Sequence, residues 1–172
     1  MMRIAVLTIS DRAARQERPD ASGPALRERV ERAGHRVAQS AVLPDEQPQI
    51  EDLLRKWADG GEVDVILTTG GTGIAARDRT PEATLAVCER TVPGIAEVMR
   101  QAGLAKTPHS MLSRGVAGVR GRTLIVNLPG SPRGAVECLE AVLPALPHAV
   151  DLLSGSSDAE AGHRRPRGAV AI

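Results

Sequence analysis

Short apolar runs that end in small or polar residues alternate with stretches carrying the punctuation of helices, and this alternation limits the fold more than any other feature. Arg3–Ile9, "RIAVLTI", is one such run and reads as a buried strand. Residues 22–34 follow as a helix, with Ser22 as N-cap, Pro24 in the first turn and Gly34 as the stop. Residues 35–43 read as a second strand. Residues 48–61 form an amphipathic helix in which Ile50, Leu53, Leu54 and Trp57 share a face and Gly60 marks the end. Val63–Thr69 is a third strand. Thr80 as N-cap, Pro81 at the first helical position and Glu82 in the first turn open a helix over 80–90, and a shorter one covers 94–103. Thr123–Gly130 is a strand. Residues 131–153 make a final helix pair whose seam runs through Val136, Leu139, Leu143, Leu146, Val150 and Leu153, bent or split at Pro144 and Pro147.

Strands each followed by helices predict an α/β domain with a mostly parallel central sheet covered on both faces. Ligands of such sheets bind outside the carboxyl ends of the strands. The segments just past the strands are "SDRAAR" from Ser10, "PDEQ" from Pro44, "GGTGIAARD" from Gly70 and "PGSP" from Pro129. They are expected to converge on one rim.

Composition narrows the function classes. The 172 residues suit one domain able to bury a core. Phe and Tyr are absent and Trp57 is the one tryptophan, so that core is built from Val, Leu, Ile and Ala. A net charge of +1 supplies no field to recruit nucleic acid or an acidic membrane, and neither is expected as a partner. The run Ile4–Ile9 is too short for a signal peptide, and no segment approaches a membrane span. Cys88 and Cys138 have the spacing of neither a metal site nor a disulfide framework. A reducing, cytoplasmic setting is the expectation. His35, His109, His148 and His163 are scattered and read as non-catalytic, and no G-x-S-x-G nucleophile arrangement is present. The tail from residue 154 is small, polar and then basic, and is expected to be flexible, leaving 1–153 as the folded domain.

Gly70, Gly71, Thr72 and Gly73 are able to turn backbone N–H groups toward an anion, although the same residues would serve a plain strand-to-helix turn. Ile74 and Ala75 stand where a phosphate-binding P-loop needs Lys and Ser or Thr, so that motif is absent. "GTGIAA" fits a dinucleotide fingerprint, but Thr80-Pro81 start the helix too late for it. Asp78 lies between Arg77 and Arg79. It is either a loop acid paired to one of them or, beside a phosphate nest, a ligand for an intervening cation such as Mg²⁺. Asp45 and Glu46 follow a strand, where capping of the next helix is the simpler role. Arg12, Arg114, Arg120 and Arg122 are candidates to clamp phosphates, though most arginines are merely surface. These residues give a phosphate-rich ligand site with a divalent cation and leave the chemistry open.

Taken together, "TISD", "PDE", "LTTGGTG", "RDRTPEAT", Pro93-Gly94, "MLSR", "GVRGRTLIVNLPGSP" and "LPALPHAVDLL" resemble, in order, the molybdopterin adenylyltransferase family of the MogA and MoaB type, which includes the matching domain of gephyrin. The resemblance runs from about Arg3 to Leu153. It implies a three-layer α/β/α domain of molybdopterin-binding fold, usually a homotrimer. It implies Mg²⁺-ATP-dependent transfer of AMP to the terminal phosphate of molybdopterin, a step of molybdenum cofactor synthesis, with a possible transient contact to the molybdenum-insertion protein. By the same resemblance Asp45 and Asp78 are the acids needed for activity, and on electrostatic grounds they are the residues expected to hold or orient Mg²⁺. Gly70, Gly71, Thr72 and Gly73 form the loop for the pterin's phosphate, and Ser113 belongs to pterin binding. Ser10, Asp11 and the turn Pro129-Gly130-Ser131 line the nucleotide side. Arg79 stands where the motif commonly has Val, adding a charge beside Asp78. Two other readings compete: a molybdopterin carrier without catalysis, and a hydrolase of nucleotide pyrophosphates.

Overall fold

A computed structural model describes residues 1–155 of the chain. Its centre is a six-stranded sheet in the order β2-β1-β3-β6-β5-β4. The strands are β1 (Arg3–Ile9), β2 (Arg36–Leu43), β3 (Val65–Thr69), β4 (Arg90–Thr91), β5 (Ala117–Arg120) and β6 (Thr123–Leu128). β2, β1, β3 and β6 run parallel, and β5 and β4 complete the sheet in antiparallel pairs. The helices are α1 (Asp11–Ala14), α2 (Ser22–Arg32), α3 (Gln47–Asp59), α4 (Thr80–Val87), α5 (Pro93–Leu104), α6 (Pro132–Val142) and α7 (Leu146–Ser154).

Alternation along each parallel strand splits the core into two layers. Ile4, Val6, Val65, Leu67, Leu124 and Val126 face α2, α5 and α6, where Leu26, Val30, Met99 and Leu139 meet them. Ala5, Leu7, Ile66 and Ile125 face α3 and α4, against Ile50, Leu54, Trp57 and Val87. Both faces of these strands are covered, which is why they read as unbroken apolar runs rather than alternating ones. The result is the expected α/β/α sandwich. No described helix is long and apolar enough to cross a membrane.

The register aligns the strand ends. Thr8 pairs with Thr69, Thr69 with Leu128, and Ile9 with Leu43. The next residues, Ser10, Pro44, Gly70 and Pro129, therefore stand side by side on one rim.

Several local expectations are corrected. β4 and β5 were not expected; the helix expected over 80–90 stops at Val87, and residues 90–91 instead pair with β5. The strand expected over 123–130 ends at Leu128, releasing Pro129 and Gly130 to the rim. Ser22 is not the N-cap of α2: Asp20 Oδ1 accepts from the Gly23 N–H at 3.0 Å, and Ser22 is the first helical residue. Thr80 does not cap α4; its Oγ1 donates to the Gly70 carbonyl at 2.8 Å. At Pro144 the final seam breaks into a 3₁₀ turn, Leu143–Ala145, between α6 and α7. α7 ends at Ser154 with Gly155 in the left-handed conformation, and the expected tail beyond it, with His163, lies outside the described residues.

Candidate active site

Past β3 the backbone turns sharply, with Gly70 at φ 99° and Gly71 at φ 61°, a region that glycine enters at little cost. A Cβ on Gly70 would stand 2.1 Å from the Ile9 carbonyl oxygen, so the β1 and β3 ends approach as closely as they do only because this residue has none. Gly70 N–H donates to the Leu128 carbonyl at 3.3 Å and Thr69 Oγ1 to the Pro129 carbonyl at 2.7 Å, joining the turn to the end of β6. Thr80 returns from α4 to hold it, its N–H on the Gly71 carbonyl at 3.1 Å and its hydroxyl on Gly70. Among the described residues, the N–H groups of Gly71, Thr72 and Gly73 donate to no backbone carbonyl, which leaves them available to an anion.

Two hollows open on this rim. One, about 640 Å³, is lined by Ser10, Asp11, Asp45, Gly70 and the arginines Arg12, Arg15 and Arg18. The other, about 410 Å³, is lined by Thr72, Gly73, Thr107, His109, Ser113 and Pro129. Gly71, Asp78, Gly130 and Ser131 line both, so the two are lobes of one cleft meeting at these residues. The two lobes thus gather every site residue that the resemblance named, whereas of the four candidate arginines only Arg12 lines them. Pro129, assigned by resemblance to the nucleotide side with Gly130 and Ser131, lines only the second of the lobes.

Each polar residue is held locally. Ser10 is the N-cap of α1, its Oγ accepting from Ala13 N–H at 3.3 Å. Ser131 caps α6 in the same way through Gly134 N–H at 3.1 Å. Asp45 does not cap α3. Its Oδ2 accepts from Asp11 N–H at 2.9 Å while Asp11 Oδ1 accepts from Asp45 N–H at 3.1 Å, a reciprocal tie between the β1 and β2 ends. Asp45 Oδ1 points toward Gly71, where a Cβ would come within 2.9 Å of it. Asp78 pairs with neither neighbouring arginine; its Oδ2 accepts from Ala75 N–H at 2.8 Å and lies beside Gly73.

The arginines divide. Arg77 crosses the rim, donating to both Asp11 oxygens at 2.8 and 2.9 Å and to Glu46 Oε1 at 2.9 Å. Arg114 fastens the glycine loop from outside, donating to the Gly73 carbonyl at 2.6 Å, the Asp78 carbonyl at 2.7 Å, and Glu82 Oε1. Arg120 pairs with Asp59 and Arg122 donates to the Ser154 carbonyl; neither lines the cleft, so both are dropped as phosphate clamps. Arg79 lines a separate hollow with Ile74, Glu82 and Arg114 rather than either lobe.

Burial pushes the Asp45 carboxyl above the ordinary aspartate range; the Asp11 N–H bond opposes that shift, and repulsion from Asp11 and Asp78 adds to it. Asp11 is held low by its bonds from Arg77. A half-buried acid destabilised by neighbouring acids is a place where a cation relieves strain. Among the described residues no three acids, histidines or cysteines form a metal cage by themselves. Mg²⁺ does not need one, since it commonly takes one or two carboxylates and fills its shell with phosphate oxygens and water. Asp45 and Asp78 fit that part.

Comparison with known proteins decides the family. Residues 5–148 match the family described as "Probable molybdopterin binding domain". This chain belongs to it. Among relatives of the molybdopterin-binding family, a Helicobacter pylori protein named molybdopterin adenylyltransferase is 44% identical over 155 residues, covering 89% of this chain and 88% of its own. An Escherichia coli protein of the same name is 40% identical over 168 residues, covering 90% and 86%. A crystal structure of the molybdopterin biosynthesis enzyme MoaB from Thermus thermophilus superposes with a TM-score of 0.85 at 58% identity, covering 91% of this chain and 98% of that one. The three-layer sandwich is therefore the fold of the molybdopterin-binding family.

The residues that sequence reading missed are Arg77 as a bridge, Asp20 and the Asn127 network. Asp20 Oδ2 accepts from Thr8 Oγ1 at 2.8 Å on the first lobe's wall. Behind the glycine turn, buried Asn127 donates to Thr68 and Thr84 hydroxyls at 3.0 and 2.8 Å and accepts from Val116 N–H at 3.2 Å. "NLPG" offered the only signal, a polar residue inside an apolar strand.

Proposed function

We propose that this chain is a molybdopterin adenylyltransferase, joining the terminal phosphate of molybdopterin to the AMP of ATP in molybdenum cofactor synthesis. The observation that carries the reading is the cleft with two lobes meeting at Gly71, Asp78, Gly130 and Ser131. Transfer between two phosphorylated substrates needs two adjacent sites and a junction where their phosphates meet. The curated relatives' shared name supplies the chemistry.

The arginine-lined lobe then takes the nucleotide, and the lobe with Thr72, Gly73 and Ser113 takes the pterin. An oxygen of the pterin's phosphate attacks the α-phosphorus of ATP. A new O–P bond forms, the bond from the α-phosphorus to the bridging oxygen breaks, and its electron pair leaves with pyrophosphate. The nucleophile is already ionised, so no protein base is required, in keeping with the missing G-x-S-x-G arrangement and the scattered histidines. The demand is to hold two anions together and to stabilise charge at the α-phosphorus. The free N–H groups of Gly71 at the junction and of Thr72 and Gly73 in the adjoining lobe meet that demand. Asp45 and Asp78 would hold Mg²⁺. When bound, the cation neutralises phosphate charge. The same reading takes residues 1–153 as the adenylyltransferase domain with 154–172 as a tail. It also takes a homotrimer as the working assembly, the cytoplasm as the compartment, and transient docking to the molybdenum-insertion protein. The trimer and the docking rest on the sequence resemblance, the compartment on the two widely spaced cysteines, and the tail on its composition.

The test is turnover with molybdopterin and ATP at limiting Mg²⁺. Asp45→Asn and Asp78→Asn keep shape and remove charge, and each is expected to lower kcat about 100-fold or more, the scale of losing a preorganised electrostatic group. Full turnover by both variants would sink the assignment.

A further inference from the structure

We propose that Arg77 is the positioning residue of this cleft, fixing and neutralising Asp11 so that its charge does not add to those of Asp45 and Asp78 at the phosphate site. The inference rests on the adenylyltransferase reading for its ligand, a nucleoside triphosphate.

Four acids line the nucleotide lobe: Asp20, whose two oxygens accept from Thr8 Oγ1 and Gly23 N–H, and Asp11, Asp45 and Asp78. A triphosphate entering there meets repulsion from each of these carboxylates. Arg77 removes one. Its Nε and Nη2 grip the two Asp11 oxygens in the fork geometry that matches a carboxylate. Asp45 N–H takes a further acceptor position on Asp11 Oδ1. Asp11 is thus spent on internal bonds and its charge is balanced, whereas Asp45 Oδ1 still points toward Gly71.

The same guanidinium sets spacing. Arg77 precedes Asp78 in the chain, and its second partner, Glu46, follows Asp45. One side chain therefore fixes the separation of the segments after β2 and β3 that carry the two acids. Arg77 is 57% exposed, and exposed ion pairs add little to stability. Its worth is positional.

Isothermal titration with ATP, with and without Mg²⁺, tests this on the full chain alongside Tm measurement. Arg77→Met is expected to weaken ATP binding about tenfold, the scale of one charge-assisted interaction, at an unchanged Tm. Arg77→Lys is expected to fall between, since an ammonium keeps the charge and loses the fork. The deciding variant joins Arg77→Met to Asp11→Asn, which keeps the acceptor for Asp45 N–H and removes the exposed charge. It is expected to recover most of the lost affinity. A double variant as weak as Arg77→Met would overturn the proposal, because Arg77 would then be touching the nucleotide itself. A Tm loss that tracks the affinity loss would also overturn it, by making the role structural. Wild-type protein that binds no ATP would instead overturn the adenylyltransferase reading, and this inference with it.

Discussion

Gly70 shows how much of this site depends on a missing side chain. Its φ of 99° and the 2.1 Å approach of a would-be Cβ to the Ile9 carbonyl leave no room for alanine, since the obstacle is backbone in the sheet's centre. Gly70→Ala is expected to destabilise the fold by about 3 kcal/mol through strain and clash, read from urea unfolding. Asp45 shows the opposite relation between site and fold. Its carboxylate is partly buried beside two like charges, which is useful for receiving a cation and unfavourable for the empty protein. Asp45→Asn is therefore expected to raise Tm at neutral pH while lowering turnover. A lower Tm would mean that the Asp11–Asp45 tie matters more to the fold than the repulsion.

At the scale of elements, β6 is where fold and site are joined. Asn127 links it to β3 through Thr68 and to α4 through Thr84, both away from water, and to the segment before β5 through the half-buried Val116 N–H. Asn127→Leu keeps the volume, removes both buried bonds to Thr68 and Thr84 and strands the half-buried Val116 N–H. It is expected to cost about 2 to 3 kcal/mol and to loosen Pro129 and Gly130 at the rim, measurable by unfolding and by hydrogen exchange of residues 128–131. The parallel strands were legible because burial on both faces leaves long apolar runs, and the rim followed from where those runs stop. β4 and β5 were not legible, because "RT" and "AGVR" have no period to read and exist as strands only through pairing. The two helix caps were misread for a related reason. Ser22 lies close after Asp20, which caps instead, and Thr80 is drawn to the Gly70 carbonyl by a contact that local pattern does not encode. Asp45 and Asp78 were proposed from motif and both line the cleft, whereas Arg77's bridge was hidden because its partners lie 66 and 31 residues away.

For the whole molecule, one ion pair at the far end of the sheet carries a pH dependence. Arg3 donates through Nη2 to Asp64 at 2.6 Å, pinning the start of β1 to the approach to β3. Burial raises the Asp64 pKa, but the bonds and charge of Arg3 outweigh it and hold the carboxyl below its ordinary 3.8. A depressed acid stabilises the fold above the unfolded value and loses that contribution as pH falls through the folded one. Tm of the wild type is expected to drop below pH 3.8 more steeply than that of Asp64→Asn. The central claim concerns the other end, where two lobes meet at Asp78 with Asp45 on the wall of the first. The measurement that tests it most directly follows pyrophosphate and adenylylated pterin together, using purified protein, molybdopterin, ATP and Mg²⁺. The expected result is equal amounts of both products, with none formed when the pterin is left out. Tight pterin binding without either product would make the protein a carrier, and pyrophosphate or AMP released without pterin would make it a hydrolase. Either result would contradict the account.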